Sequence, residues 1–269
     1  MVSIQSILLL VFGVSTLALP VVEQRSEEPS RTIPESDFFT ALDRRTPPSP
    51  LTPGQSGAQG LIGSDICNII AAQKSMPVAP SPLPSTSLTL SHIAIGRGVQ
   101  LYNCPAASPS ATPTNVGARA SLFNSTCLAA ANLDFLTWIT HASLYYPIPS
   151  SPDPNNLANT DLSGHHYFLD STTPFFNLDT DAHSYGTGAF KKNATSDAPK
   201  SPKGFASMLP LPQNQTASVA WLKLTEKQDQ QVLKEVYRLN TVGGAAPKTC
   251  QGMPESFEVQ YAAQYWLFT

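Results

Sequence analysis

The chain has few charged residues and no basic field. Charged side chains make up 13% of its 269 residues, about half of the ~25% that is usual in soluble proteins. The net charge is -3, so nothing in the composition favours contact with a phosphate backbone, and nucleic acid is excluded as a partner. After residue 19 the chain also lacks an apolar run of the ~20 residues that a bilayer requires. No membrane span is therefore expected.

Cofactor motifs are missing as well. No two cysteines have the CxxC spacing that is typical of zinc and redox sites. A dinucleotide site needs Gly-x-Gly-x-x-Gly between a strand and a helix. The nearest match, Gly96-Arg-Gly98, continues as Val-Gln-Leu inside a strand pattern. The sequence therefore predicts no cofactor.

What the chain does have at its start is a pattern of export. Residues 6–19 are apolar, uncharged and followed by Pro20, which is typical of a signal peptide over residues 1–19. Residues 20–60 are rich in Pro and Ser and are predicted to be disordered. Within them, Arg44-Arg45 is either a maturation site that makes residues 20–45 a propeptide or a solvated charge pair. A secreted, extracellular domain is expected over residues 61–269.

Cysteines and sequons support the same compartment. Four cysteines in an exported chain predict two disulfides, but four cysteines allow three pairings. Spacing alone favours a clasp between Cys104 and Cys127. Three Asn-x-Ser/Thr sequons predict glycosylation at surface positions: Asn124, Asn193 and Asn214.

Short runs rich in β-branched and aromatic residues recur between turn signals, which predicts an all-β fold. The expected architecture is a single β-sandwich or barrel-like domain with long loops and one or two short helices. One helix is expected from Asn132 or Asp134 to about residue 145, and long loops are expected at 105–115, 148–163 and 180–215. The predicted strands are 92–103, 116–126, 165–170, 174–178, 217–224, 231–241 and 256–268.

Several strings resemble one family in combination: IGRGVQLYNC (95–104), HHYFLDSTTPFFNLDT (165–180), VAWLKL (219–224), VYRLNTVGGAAPKTC (236–250) and VQYAAQYWLF (259–268). Residues 64–269 are similar to the secreted fungal and bacterial family catalogued as domain of unknown function three-four-five-five. The resemblance implies a β-rich extracellular domain, and it implies the pairings Cys104–Cys250 and Cys67–Cys127. Members are sometimes labelled malate dehydrogenase, which the missing dinucleotide motif argues against.

One group of residues suggests chemistry. His165 and His166 lie on a predicted strand, and Asp181 and His183 follow on a predicted loop. Histidines with a carboxylate bind divalent metals, although neighbouring strand residues face opposite sides and only one of the first two histidines can join such a site. The alternative is a structural histidine beside a turn. This region carries the hypothesis of a secreted hydrolase or metal-assisted enzyme.

Aromatic residues suggest a different use. Tyr265 and Trp266 are adjacent in the last strand, so one ring faces away from the other and is a candidate for stacking on a sugar, with core packing as the alternative. Gly243-Gly244 predicts a turn with positive φ. Low charge, exposed loops and aromatic content favour an extracellular or cell-wall protein that binds a polysaccharide or a surface partner.

Overall fold

The computed structural model describes residues 67–146, 161–181, 183–200, 204–212, 215 and 217–269. The predicted signal peptide, the 20–60 segment with Arg44-Arg45, and the sequon at Asn214 lie outside these residues. No helix in the described ranges is long and apolar enough to cross a bilayer.

Eight antiparallel strands form a closed barrel in which each strand pairs with its neighbours in the chain and β1 pairs with β8. Closure leaves no sheet edge unpaired. This confirms the all-β, barrel-like expectation. The strands are β1 Leu90–Asn103, β2 Thr114–Asn124, β3 Leu162–Asp170, β4 Thr173–Asp179, β5 Ser184–Ser196, β6 Trp221–Glu226, β7 Glu235–Gly243 and β8 Ser256–Phe268.

Alternate residues of each strand face the barrel interior, and rings fill it. Cross-strand partners point to the same face of a sheet. Ala120 pairs with His166, and His166 pairs with Phe176, so all three side chains face the interior at one level of the barrel. The Tyr265 ring lies directly over Gly96. A Cβ at residue 96 would be only 2.3 Å from the ring, so only glycine fits there. Interior packing thus depends on a small residue opposite a large one.

A second apolar layer covers part of the outer face of the barrel. It contains Ile93, Trp221, Tyr237 and Trp266. Three short helices pack over it: α1 Ile69–Lys74, α2 Thr126–Ala131 and α3 Leu133–Ala142. The Asn132 side chain caps α3 by accepting a hydrogen bond from the Phe135 amide, as the sequence predicts.

Buried polar contacts and the Cys67–Cys127 disulfide fix this outer layer, whereas Cys104–Cys250 joins the segment after β1 to the segment before β8. Outside the barrel, Arg97 on β1 donates to the carbonyl oxygens of Ser143 at 2.9 Å and Tyr146 at 3.0 Å, which satisfies acceptors after the end of α3. The cysteines pair as Cys67–Cys127 and Cys104–Cys250. These are the pairings that the family resemblance implies, and the clasp suggested by spacing is wrong.

The strand predictions missed β5. Residues 180–215 were expected to form a loop, yet Ser184–Ser196 is a full strand. Only a few of its residues are buried, and Lys191, Lys192 and Asn193 lie exposed in a row, so the period-two pattern that identifies a half-buried strand is weak. Gly243 and Gly244 do adopt positive φ, of 68° and 87°.

Candidate functional site

The structure separates the two histidines of β3. His165 faces outward, where its Nδ1 lies 3.3 Å from Ser121 Oγ. His166 faces the interior, stacks on Phe176 and bonds the Phe175 carbonyl oxygen through Nδ1 at 3.0 Å. Burial lowers the pKa of His166 to about 4. It is therefore a neutral core residue at pH 7.

His183 and Asp181 do not complete a site with either of them. The His183 ring lies 5.3 Å from the Tyr185 ring, which stacks in turn on His92 at 4.1 Å, and Asp181 is exposed. Among the described residues, no three His, Cys, Asp or Glu side chains come together as a metal site. The predicted site is therefore wrong, because the strand alternation and the stacking on Tyr185 direct these side chains apart.

Tyr265 and Trp266 face opposite sides, as predicted, but neither is exposed. The Tyr265 ring lies inside the barrel, and Trp266 is 0% exposed in the outer layer. The indole N–H of Trp266 donates to Gln264 Oε1 at 3.3 Å. The prediction that one ring faces solvent is wrong, because the helices cover the outer face.

The two described sequons differ in their surroundings. Asn193 is exposed on β5. Asn124 is half-buried, and its Nδ2 donates to the Tyr185 hydroxyl at 3.0 Å. In the folded protein, only the Asn193 amide of this pair is open to a bulky substituent.

A groove of about 1080 Å³ lies on the outer face of the barrel. This volume is at the upper end of the range of small-molecule sites. The groove runs between α3, the ends of β6 and β7, and two proline-containing segments. Its walls are Pro77–Pro80, one face of α3, Pro199 and Lys200, Ser207–Leu211, Ser218 and Trp221, and Asn240 and Thr241.

Trp221 carries the unusual polar group of this groove. Its side chain is 3% exposed, and its indole N–H has no hydrogen-bond partner within the described part of the chain. A buried donor left unpaired costs about 1–3 kcal/mol. Trp266, in the same outer layer, has its N–H satisfied, whereas Trp221, which also lines the groove, has a buried N–H with no partner among the described residues.

Asn240 is the second unusual residue. It has a φ of 46° and lies in a bulge, where Leu239 pairs with Gln264 and Val242 pairs with Ala262. The extra residue directs the asparagine side chain toward α3, and its Nδ2 donates to Thr137 Oγ1 at 3.3 Å. Bulges often orient a functional side chain.

Charge in the groove is nearly balanced. Asp134 lies in the first turn of α3, and Lys200 lies on a facing segment. Burial lowers the pKa of His141 to about 4, so its ring is neutral at pH 7. Among the described residues, the groove therefore presents prolines, an indole, two side-chain amides and hydroxyl groups, with one side chain of each charge.

A family model described as a protein of unknown function (DUF3455) matches residues 84–269. The chain belongs to this family. The matched range covers all eight strands and excludes α1. No curated protein and no solved structure matches the chain.

Proposed function

We propose that this protein is exported and binds a neutral oligosaccharide of a cell wall or cell surface in the groove beside Trp221. The observation that carries the proposal is the buried indole N–H of Trp221, which has no partner among the described residues and belongs to a residue that lines a large groove. A sugar hydroxyl or ring oxygen supplies the acceptor that this donor lacks.

The remaining groove chemistry supports the same class of ligand. Proline rings and the indole offer flat apolar surface to the C–H face of a sugar ring. The Asn240 amide offers a hydrogen-bonding group held in place by its bond to Thr137. Near-neutral charge favours an uncharged ligand, because a charged one would lose solvation without gaining a matched partner.

Export is supported by the apolar N-terminal residues 6–19 and by the two disulfides, which persist in oxidising compartments. The sequons at Asn193 and Asn124 belong to the same proposal, with Asn193 as the position that carries a glycan in the folded protein.

The test is retention of the purified protein on insoluble chitin, β-glucan and cellulose, with soluble oligosaccharide as competitor. Trp221→Phe keeps an aromatic ring and removes only the N–H. Asn240→Gly removes the amide, and glycine adopts positive φ without strain. We expect each variant to remain folded and to bind about tenfold more weakly, because one hydrogen bond to the ligand is lost.

Phe135→Leu is the matched control, since Phe135 is an exposed aromatic residue on α3 that does not line the groove. This variant should bind like the wild type. Equal retention of the wild type, Trp221→Phe and Asn240→Gly would contradict the proposal. Product analysis after incubation with the bound oligosaccharide separates binding from hydrolysis.

A further inference from the structure

Arg238 is a buried cation inside the barrel. It lies on β7 opposite Tyr265, on the inner face, and is 9% exposed. Its Nη2 donates to the Ala220 carbonyl oxygen at 2.9 Å, whereas its Nε has no partner in the described residues. None of the ion pairs formed in this part of the chain includes Arg238. A buried charge without a counter-charge costs several kcal/mol.

Gln100 supplies a second unpaired donor. It lies on β1, faces the interior and is 4% exposed. Its Oε1 accepts a hydrogen bond from Asn115 Nδ2 at 3.2 Å, but its Nε2 has no partner among the described residues. Both unpaired groups are donors, so the ligand that completes them must be an acceptor.

The two donors lie around the same short segment of the chain. A Cβ at Gly244 would lie 3.2 Å from both Gln100 Cγ and Val219 Cγ1, and 2.8 Å from Tyr261 Cβ. Arg238 bonds the carbonyl oxygen of Ala220, the next residue. The guanidinium also lies beside the Tyr265 hydroxyl, which shares a 2.7 Å hydrogen bond with Tyr261. Arg238 and Gln100 are thus both interior residues beside the Val219–Ala220 segment.

We propose that the barrel interior binds one small inorganic anion of about the size of chloride, with Arg238 as its counter-charge and Gln100 as a further donor. The interior is packed with buried side chains, so the ligand is a single small ion. Charge-assisted hydrogen bonds from a guanidinium are about twice as strong as neutral ones. This anion site is independent of the groove and of the proposed sugar ligand.

The test is thermal unfolding of the full-length protein in sodium chloride and in sodium gluconate at matched ionic strength. A ligand that binds only the folded state raises Tm with its concentration. We expect Tm to rise by about 5 °C or more over a hundredfold increase in chloride above its dissociation constant, with no rise in gluconate, an anion too large to enter. Equal Tm values in the two salts would overturn the proposal.

Arg238→Met removes the charge at similar length and should abolish the difference between the salts. Arg119→Met is the matched control, because Arg119 is an exposed arginine, and this variant should keep the difference. If Arg238→Met does not fold, bromide-soaked wild-type crystals test the site directly. An anomalous peak within hydrogen-bonding distance of Arg238 Nε is expected, and its absence from the barrel would overturn the assignment.

Discussion

Inside the barrel, aromatic rings and small residues fill the space around a buried arginine, whereas outside it a second apolar layer lies under three short helices and opens into a groove. Both layers are buried, but they leave different groups unsatisfied. Among the described residues, the unpaired groups of the interior include Arg238 Nε and Gln100 Nε2, and those of the outer layer include the Trp221 N–H. The two differ in their surroundings, because the outer donor belongs to a residue that lines a groove large enough for a sugar and the inner ones belong to residues inside the packed barrel.

The outer layer is a structural core in its own right, and Trp266→Ala tests this most strongly. Trp266 and the interior residue Phe176 are both 0% exposed. Removing a buried large aromatic side chain costs about 3–5 kcal/mol, so Trp266→Ala and Phe176→Ala should reduce the free energy of unfolding by similar amounts in urea titrations. A loss below about 1 kcal/mol for Trp266→Ala alone would show that the helices merely decorate the barrel.

This comparison also explains how far the sequence could lead. Strand alternation could be predicted from the sequence, and it correctly placed Tyr265 and Trp266 on opposite faces. The helices that cover the outer face could not be predicted, because α1 and α2 have only six residues each and show no helical hydrophobic period. Export and glycosylation stay predictions.

The groove could not be predicted from the sequence for a related reason. Its walls come from segments as distant as Pro77 and Thr241, and no local pattern joins them. The metal prediction failed in the opposite way, because residues close in sequence, such as His165 and His166, face different sides of one strand. Asn240 carried no distinct signal either, because its strand also contains Glu235, Arg238 and Thr241.

The next largest effect concerns acid. Burial lowers the pKa of His92, His141 and His166 to about 4 from the ordinary 6.5. The unfolded chain therefore binds more protons than the native state between about pH 6.5 and 4. Stability that is fully present above pH 6.5 should be lost as the pH falls through this window.

Substitutions of His166 and His165 distinguish the contributions of an interior and an outward-facing histidine to this acid-induced loss of stability. His166→Phe should make the loss of unfolding free energy between pH 7 and pH 4 smaller by about 3 kcal/mol, since one proton is no longer taken up. His165→Phe should change it less, because His165 lies on the outer face and is only partly desolvated. Urea titrations at several pH values measure both slopes, and equal changes would contradict the assignment of His166 to a dry interior.

The smallest expected effect comes from the arginine on the outer surface. Arg119 pairs with Glu258 at 2.7 Å, but the two side chains are 62% and 44% exposed. Exposed ion pairs contribute about 0–1 kcal/mol, so Arg119→Met should lower the free energy of unfolding by less than about 1 kcal/mol, and added salt should reduce the difference further. Arg238 has no such solvent to screen it, and its replacement should alter stability in a way that depends on which anion is present. If Arg119→Met instead changed the free energy of unfolding strongly and in an anion-dependent way, the anion would bind on the outer surface, and its assignment to Arg238 would be wrong.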